Sequence, residues 1–358
     1  MSPPAPLPGP GPAAVAAAPL RTDGGYEYRN TGTRVVQRPG AIDALGAETD
    51  ALGCRRLMVV CGGNTRRGRV FERAMKALGP RVVVVLDRVV EHSSTVLVTE
   101  GAALARAERV DGIVAVRGGS AARNPKGIAV PLGGGGPIEE HASRFEPPDR
   151  FFPKDLPSPK LPVIAVPTTA SAAEVTPGLG LRDPEGRKLL FWDPTLASRL
   201  IVLDPEAAAD VPAAVMAATA MNGFAHCAEG LYSRLRNPIS EALALHGIAL
   251  FGRWLPAMVA DPSSIEARGG VLAAAHLSGM VISNARVGIH HAVCHCLGAR
   301  GGLSHGVANS VMLPHALAYN VPVAAAEIAR IGQALGADTR AASAEDGARA
   351  GIEAVRAL

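Results

Sequence analysis

The chain has 358 residues, 48% hydrophobic and 19% charged, with a formal net charge of +4. This is an ordinary globular composition, long enough for two domains or for one domain with two lobes. The arginines are scattered and no basic stripe is interleaved with aromatics, so nucleic acid is excluded as the expected partner.

Met1 to about Gly25 is rich in Pro, Ala and Gly. Prolines interrupt it throughout and no basic n-region precedes a continuous apolar run, so the segment is expected to be a disordered tail. No stretch reads as a membrane span. Five cysteines (Cys54, Cys61, Cys227, Cys294, Cys296) lack a framework spacing and read as free thiols in a reducing compartment. The expected location is the cytoplasm.

Order is expected from Tyr26. A strand-like run at 33–37 precedes a helical stretch at 42–52. Short β-branched runs at 57–61, 82–86 and 112–116 alternate with helical stretches at 70–78 and 95–107, the pattern of βαβ units and a parallel sheet. Residues 133–157 read as a Gly/Pro-rich loop, because four consecutive glycines oppose a packed element. Further strands are expected at 161–166, 188–191 and 200–203. After Asp204-Pro205 the texture becomes helical, at 213–235, 239–260, 264–285, 289–297, 306–317 and 324–335. The predicted architecture is α/β with a Rossmann-like N-terminal lobe (26–204) and an all-α C-terminal lobe (205–358).

Three segments carry chemistry. Val116-Arg117-Gly118-Gly119-Ser120 follows a strand and precedes a helix, which suits either a phosphate-cradling loop or a plain tight turn. Pro167-Thr168-Thr169 begins a polar segment running through Glu174 and Thr176 to Pro177, either a cleft lining or a strand-to-helix turn. The third is a histidine cluster: six of the ten histidines lie between His276 and His315. Asn222, His226 and Glu229 are spaced i, i+4, i+7 and share one helix face, while His291 and His295 are one turn apart. Several imidazoles at such spacing point to a shared site.

These segments resemble the iron-containing alcohol dehydrogenase superfamily, with its dehydroquinate synthase-like architecture. Its Gly-Gly-Gly-Ser loop, with a lysine six residues on, matches Gly118, Gly119, Ser120 and Lys126, with Arg117 in place of the first glycine. Its Pro-Thr-Thr segment matches Thr168 and Thr169, with Ala172-Ala173 replacing a Gly-Ser pair. The resemblance implies that these residues bind NAD(P)H. Asn124-Pro125 predicts a helix beginning at Asn124, which would withdraw its N-terminus from the phosphates by about one turn, roughly 5–6 Å, unless Arg117 compensates.

The family's metal ligands, one Asp and three His, fall on Asn222, His226, His291 and His305. The neutral amide at Asn222 weakens a site for iron or zinc. The maleylacetate reductase branch, regarded as working without metal, is closest: it shares Asn222-x-x-x-His226, His290-His291-x-x-Cys294-His295 and Leu313-Pro314-His315-Ala316. Ala292 replaces that branch's usual lysine, and His305-Gly306-Val307-Ala308-Asn309 is nearer the metal-dependent branch.

The resemblance implies hydride transfer to an enoyl-keto acid or a carbonyl substrate between the lobes, in a homodimer without membrane or nucleic-acid partners. His291 and His295 are expected to transfer protons and stabilise an oxyanion, with His226 and His305 orienting them or binding a carboxylate. Lys188 is a cleft candidate. Arg286 reads as a carboxylate partner or an exposed surface arginine, and His315 as structural near a helix start. His92, His141 and His246 read as surface residues. The alternatives are a dehydrogenase fold turned to non-redox acid/base chemistry, or an inactive binding protein. The helical lobe is expected to be shorter than in the family, because the chain ends soon after Leu313-Pro314-His315.

Overall fold

The computed structural model describes residues 25–89, 93–116, 120–146, 150–156, 160–340 and 343–358. The first lobe contains β1 (Arg34–Gln37), α1 (Leu45–Ala51), β2 (Leu57–Val60), α2 (Gly63–Arg66), α3 (Arg69–Leu78), β3 (Val82–Leu86), α4 (Thr95–Ala107), β4 (Gly112–Val116) and α5 (Ser120–Gly134). It continues through β5 (Arg144–Glu146), β6 (Arg150–Phe152), β7 (Val163–Val166), β8 (Gly178–Arg182), β9 (Lys188–Trp192) and β10 (Leu200–Leu203).

Six strands form one parallel sheet in the order β1-β10-β7-β4-β2-β3. Its strands are short apolar runs because both faces are covered. Alternation assigns the faces: Met58, Val60 and Ile113 point toward α4 and α5, whereas Leu57, Val59 and Val114 point toward α1 and α3. Chain direction across the sheet reverses between β2 and β4. A switch point of this kind opens a crevice at the carboxyl ends of the strands, and the segment after β4 leads into α5 there.

Two expectations are corrected here. The helix after β4 begins at Ser120, not Asn124, and contains both Pro125 and Pro131. Pro125 removes one main-chain donor, but Ile128, Ala129 and Val130 are buried in the core beside α4, and that packing carries the helix through. Residues 133–157 are not all loop. α5 reaches Gly134, a 3-10 turn spans Ile138–His141, and β5–β6 form a hairpin. Ile138 is buried, and so is His141, whose Nε2 lies 2.8 Å from the Gly135 carbonyl, so His141 is not a surface residue. β9 pairs with β8 in a separate antiparallel hairpin rather than joining the main sheet.

The second lobe is helical: α6 (Ala213–Tyr232), α7 (Pro238–Ala260), α8 (Ile265–Ala285), α9 (Ile289–Gly301), α10 (His305–Ala334) and α11 (Ala344–Ala357). α7 starts at a capping box. Asn237 Oδ1 accepts from the Ile239 and Ser240 amides, and the Ser240 hydroxyl accepts from the Asn237 amide. α7 is long and apolar enough to cross a membrane by length and composition, which the sequence reading had denied to every segment. Here it buries Phe251, Leu255 and Met258 in the bundle core with α6 and α8. α10 bends at Ala324, two residues after Pro322, consistent with the helix-breaking effect of that proline.

The lobes are joined through residues 204–212. Arg268, on α8 and 2% exposed, donates to the carbonyls of Pro262, Ala208 and Val211 at 2.8–2.9 Å. Its removal leaves the buried Ala208 carbonyl, and the partly exposed carbonyls of Val211 and Pro262, without their donor. Arg268→Met is expected to cost about 2–4 kcal/mol, read as a lower urea midpoint at unchanged slope. A loss under about 0.5 kcal/mol would show that the connector holds without this residue.

Candidate active site

α6 carries Asn222, His226 and Glu229 on one face, and all three are buried. Glu229 reaches the start of α9. It accepts from the Gly288 amide (2.9 Å) and the His290 amide (3.1 Å), so a carboxylate on one helix caps the N-terminus of another. It also makes a short hydrogen bond with Nδ1 of His291. A Cβ on Gly288 would stand 3.0 Å from the carboxylate oxygen, so only glycine allows this approach comfortably. Burial alone would raise the Glu229 pKa. Hydrogen bonds from His290 and His291 outweigh it and hold the carboxyl at about 2.

A carboxylate only accepts, so His291 Nδ1 carries the proton of that bond and Nε2 turns toward the pocket. There His291 Nε2 lies 3.3 Å from Asn222 Oδ1, and His226 Nε2 lies 3.4 Å from Asn222 Nδ2. The two rings stack with centroids 4.8 Å apart. A carboxamide donates at one end and accepts at the other, so it can serve two imidazoles in opposite senses, which an aspartate cannot. On its far side, His226 Nδ1 lies 3.4 Å from Ser278 Oγ, and that hydroxyl donates to the Ala275 carbonyl.

His305 opens α10. The next residue explains its position: a Cβ on Gly306 would stand 2.7 Å from the Ala218 carbonyl, so α10 begins in tight contact with α6. The His305 ring lies 5.9 Å from His291 and stacks on His295 at 5.3 Å. His226, His291, His295 and His305 therefore share one pocket. Burial pushes His226 well below its ordinary pKa, with His291 adding to the effect. Burial likewise lowers His295 to about 4, helped by Lys188, His291 and Arg123. His305 falls to about 3 through burial, then His291, His295, Arg123 and Lys188. His295 is exposed, so the pocket opens to solvent on the α9 side. These three rings are neutral near pH 7.

The nucleotide-side residues are placed less uniformly. Arg117, Gly118 and Gly119 lie outside the described residues. Ser120 begins α5 at the switch point, where first-turn amides suit a pyrophosphate. Thr168 and Thr169 are buried just beyond β7. Lys126 is fully buried, and its ammonium donates to the carbonyls of Ala173 (2.7 Å) and Thr176 (2.6 Å), beneath the Pro-Thr-Thr segment. Burial lowers its pKa, opposed by Glu174.

Arg286 is not an exposed surface arginine. It is half-buried at the C-terminus of α8 with a φ of 66°, and its guanidinium lies 3.9 Å over the Trp192 ring. His315 is exposed in the body of α10 rather than near its start. His246 is exposed, and His92 lies outside the described residues. The sequence reading gave no role to His290, Ser278 or Arg123. His290 is buried beside His291, with Nδ1 atoms 3.3 Å apart, and its place in a His-His pair was the available signal.

Part of the donor set has metal-ligand spacing. Separations of 3.3–3.4 Å between Asn222 and the Nε2 atoms of His226 and His291 suit ligands on a tetrahedral centre, with the His305 ring centroid 5.9 Å from that of His291. None of these donors is anionic. A second cluster, Glu229 with His290 and His291, has its ligand atoms within 4.8 Å of one another, but its carboxylate is already engaged by two amides and an imidazole.

Two outcomes follow from this geometry. Asn222→Asp is expected to raise zinc affinity on the order of tenfold or more, measured by titration calorimetry, because it adds the missing charge. An unchanged affinity would mean that residue 222 does not face the ion. Second, His295 and His305 titrate near 4 and 3 in the folded chain against an ordinary 6.5. Between those values the unfolded chain binds more protons. Their stabilisation is therefore full above pH 6.5 and is lost as pH falls toward 4 for His295 and toward 3 for His305. Urea midpoints should fall across that window, and less steeply in His305→Gln. Equal slopes in the two proteins would contradict the assignment.

Residues 32–205 match the family profile "Iron-containing alcohol dehydrogenase", and residues 216–358 match "Fe-containing alcohol dehydrogenase family, C-terminal". Maleylacetate reductase 2 of Cupriavidus pinatubonensis is 34% identical over 304 residues, covering 85% of this chain and 76% of that protein. The crystal structure of a 1,3-propanediol oxidoreductase superposes with a TM-score of 0.84 at 31% identity, covering 90% of this chain and 83% of that one. A maleylacetate reductase from Agrobacterium tumefaciens superposes at 0.77 with 26% identity, covering 93% and 85%. The two-lobed architecture, the histidine pocket between α6, α9 and α10, and these matches converge: this chain is an oxidoreductase of the iron-containing alcohol dehydrogenase superfamily, in its maleylacetate reductase branch.

Proposed function

We propose that this protein is an NAD(P)H-dependent reductase acting on a small carboxylated enoyl-keto acid or carbonyl compound, with proton chemistry supplied by the histidine pocket. The observation that carries the reading is the line Glu229, His291, Asn222, His226, in which each group fixes the orientation of the next. When bound, the dinucleotide supplies the hydride. Main-chain amides of Ser120 and the first turn of α5 would hold its phosphates, with Thr168 and Thr169 on the same side; Gly118 and Gly119 are assigned to this loop by the sequence match alone. His291, oriented by Glu229, presents Nε2 to the reacting oxygen or carbon and moves the proton there. His295 and His305, neutral and stacked, donate N–H hydrogen bonds to the developing negative charge. Iron or zinc, where present, would be held by His226, His291 and His305 with Asn222, and would polarise the substrate oxygen.

A second reading, non-redox acid/base chemistry on the same fold, draws on Lys126, whose ammonium is spent on carbonyls rather than offered to phosphate. The two readings separate in one assay. NADH and NADPH oxidation is followed with maleylacetate and with simple aldehydes, in EDTA and with added Zn(II) or Fe(II). The reductase reading expects turnover of maleylacetate in EDTA, and a fall of about 10²-fold or more in kcat for His291→Gln. Absence of nicotinamide binding beside an intact fold would support the second reading and sink the first.

A further inference from the structure

Asn222 lies between two imidazoles, and which end of its amide meets which ring decides what the pocket can do. The two ends of a carboxamide have the same shape, so its orientation follows from the donors and acceptors around it. One group that settles it lies on α8, outside the helices that carry the histidines. Ser278 is fully buried. Its Oγ stands 2.7 Å from the Ala275 carbonyl and 3.4 Å from Nδ1 of His226. The fold makes room for this hydroxyl. A Cβ on Gly223 of α6 would stand 3.1 Å from that Oγ and 2.8 Å from Cζ of Phe251, so glycine lets α8 bring Ser278 up to His226.

A hydroxyl has one proton to donate, and a carbonyl can only accept. The Ser278 proton therefore points at Ala275, and toward His226 its oxygen accepts. That places the ring proton of His226 on Nδ1. A separate contact fixes the amide. Asn222 Nδ2 lies 3.5 Å from the Ser171 carbonyl, where an amide oxygen would meet another acceptor. The same Nδ2 faces Nε2 of His226 at 3.4 Å, and a donor there requires a bare nitrogen. The two lines of reasoning start on α8 and on the segment after β7, and they agree at His226: Nδ1 carries the proton and Nε2 does not. Asn222 Oδ1 is then the end that faces Nε2 of His291, at 3.3 Å.

We propose that Ser278 is a positioning residue: by accepting from Nδ1 of His226 it fixes that ring as an acceptor and turns the carbonyl end of Asn222 toward Nε2 of His291. Hydrogen-bond direction is thereby set through Ser278, His226 and Asn222 up to His291. His226 has no N–H left to offer an anion, so it orients Asn222 and does not bind a substrate carboxylate. Asn222 presents an acceptor beside the nitrogen that moves the proton. The bare Nε2 of His226 would equally suit an ion, since a metal-bound imidazole donates its other N–H to a fixed acceptor. This deepens the reductase reading and rests on it for the role of His291.

The test is nitrogen NMR of the full chain carrying isotope-labelled histidine, in EDTA at neutral pH, with the His226 signals assigned by their loss in His226→Gln. The parent is expected to show Nδ1 protonated and Nε2 bare. Ser278→Ala removes the acceptor with little change of volume and is expected to lose this single tautomer, whereas Ser278→Thr keeps the hydroxyl and retains it. With NADH and maleylacetate, kcat of Ser278→Ala should fall about tenfold, with KM within about twofold of the parent, and Ser278→Thr should recover most of the loss. An Nε2–H tautomer in the parent overturns the proposal. So does a Ser278→Ala protein that keeps the Nδ1–H tautomer or the parent kcat, since a serine that serves only packing would change the urea midpoint and neither of these. The tautomer is read without turnover. A parent that fails to reduce maleylacetate therefore sinks the reductase reading, while the spectrum still decides the role of Ser278.

Discussion

The site depends on one buried carboxylate. Glu229 is 1% exposed, and its charge is repaid by the Gly288 and His290 amides and by Nδ1 of His291. Leaving such a charge unpaired costs several kcal/mol, so α6 and α9 are held in register by it. The same contact fixes which nitrogen of His291 faces the pocket. Structural and chemical roles cannot be separated here, because the helix cap and the orienting group are one side chain.

The electrostatic consequence is a division of labour between the lobes. Crowding imidazoles behind one carboxylate leaves only His290 and His291 in contact with its charge. The other rings are desolvated and neighbour one another, and both effects disfavour the imidazolium. A neutral pocket handles protons well and anions poorly. The first lobe adds positive charge toward two of these rings, from Arg123 on α5 and Lys188 on β9.

Much of this was legible in the sequence. Runs such as Gly112–Val116 and Thr95–Ala107 occupy the stretches that β-branching and helical composition indicate. The i, i+4, i+7 spacing of Asn222, His226 and Glu229 placed them on one face because helical geometry leaves no choice. Tertiary packing overrode local signals where the reading failed. Asn124-Pro125 has the chemistry of a helix start, but burial of Ile128–Val130 carries α5 back to Ser120. Ile138 and His141 are buried within a Gly/Pro-rich stretch that carries no periodicity. Arg123 and Lys188 are 65 residues apart in number, and nothing local to either indicates that their charges converge on His295.

The hairpin β8–β9 joins these strands of argument. Lys188 begins β9 and Trp192 ends it. Trp192 packs under the Arg286 guanidinium, and Arg286 adopts φ 66°, ψ −176°, a conformation that favours glycine. A strained non-glycine residue persists only where its surroundings over-determine it. Here the stack on Trp192 holds the side chain, while two residues later the Gly288 amide is fixed by Glu229. The turn is thus clamped from both lobes. The strand that begins at Lys188 also holds, through Trp192, the turn that delivers His290 and His291, so β9 and the imidazole pocket are mechanically linked.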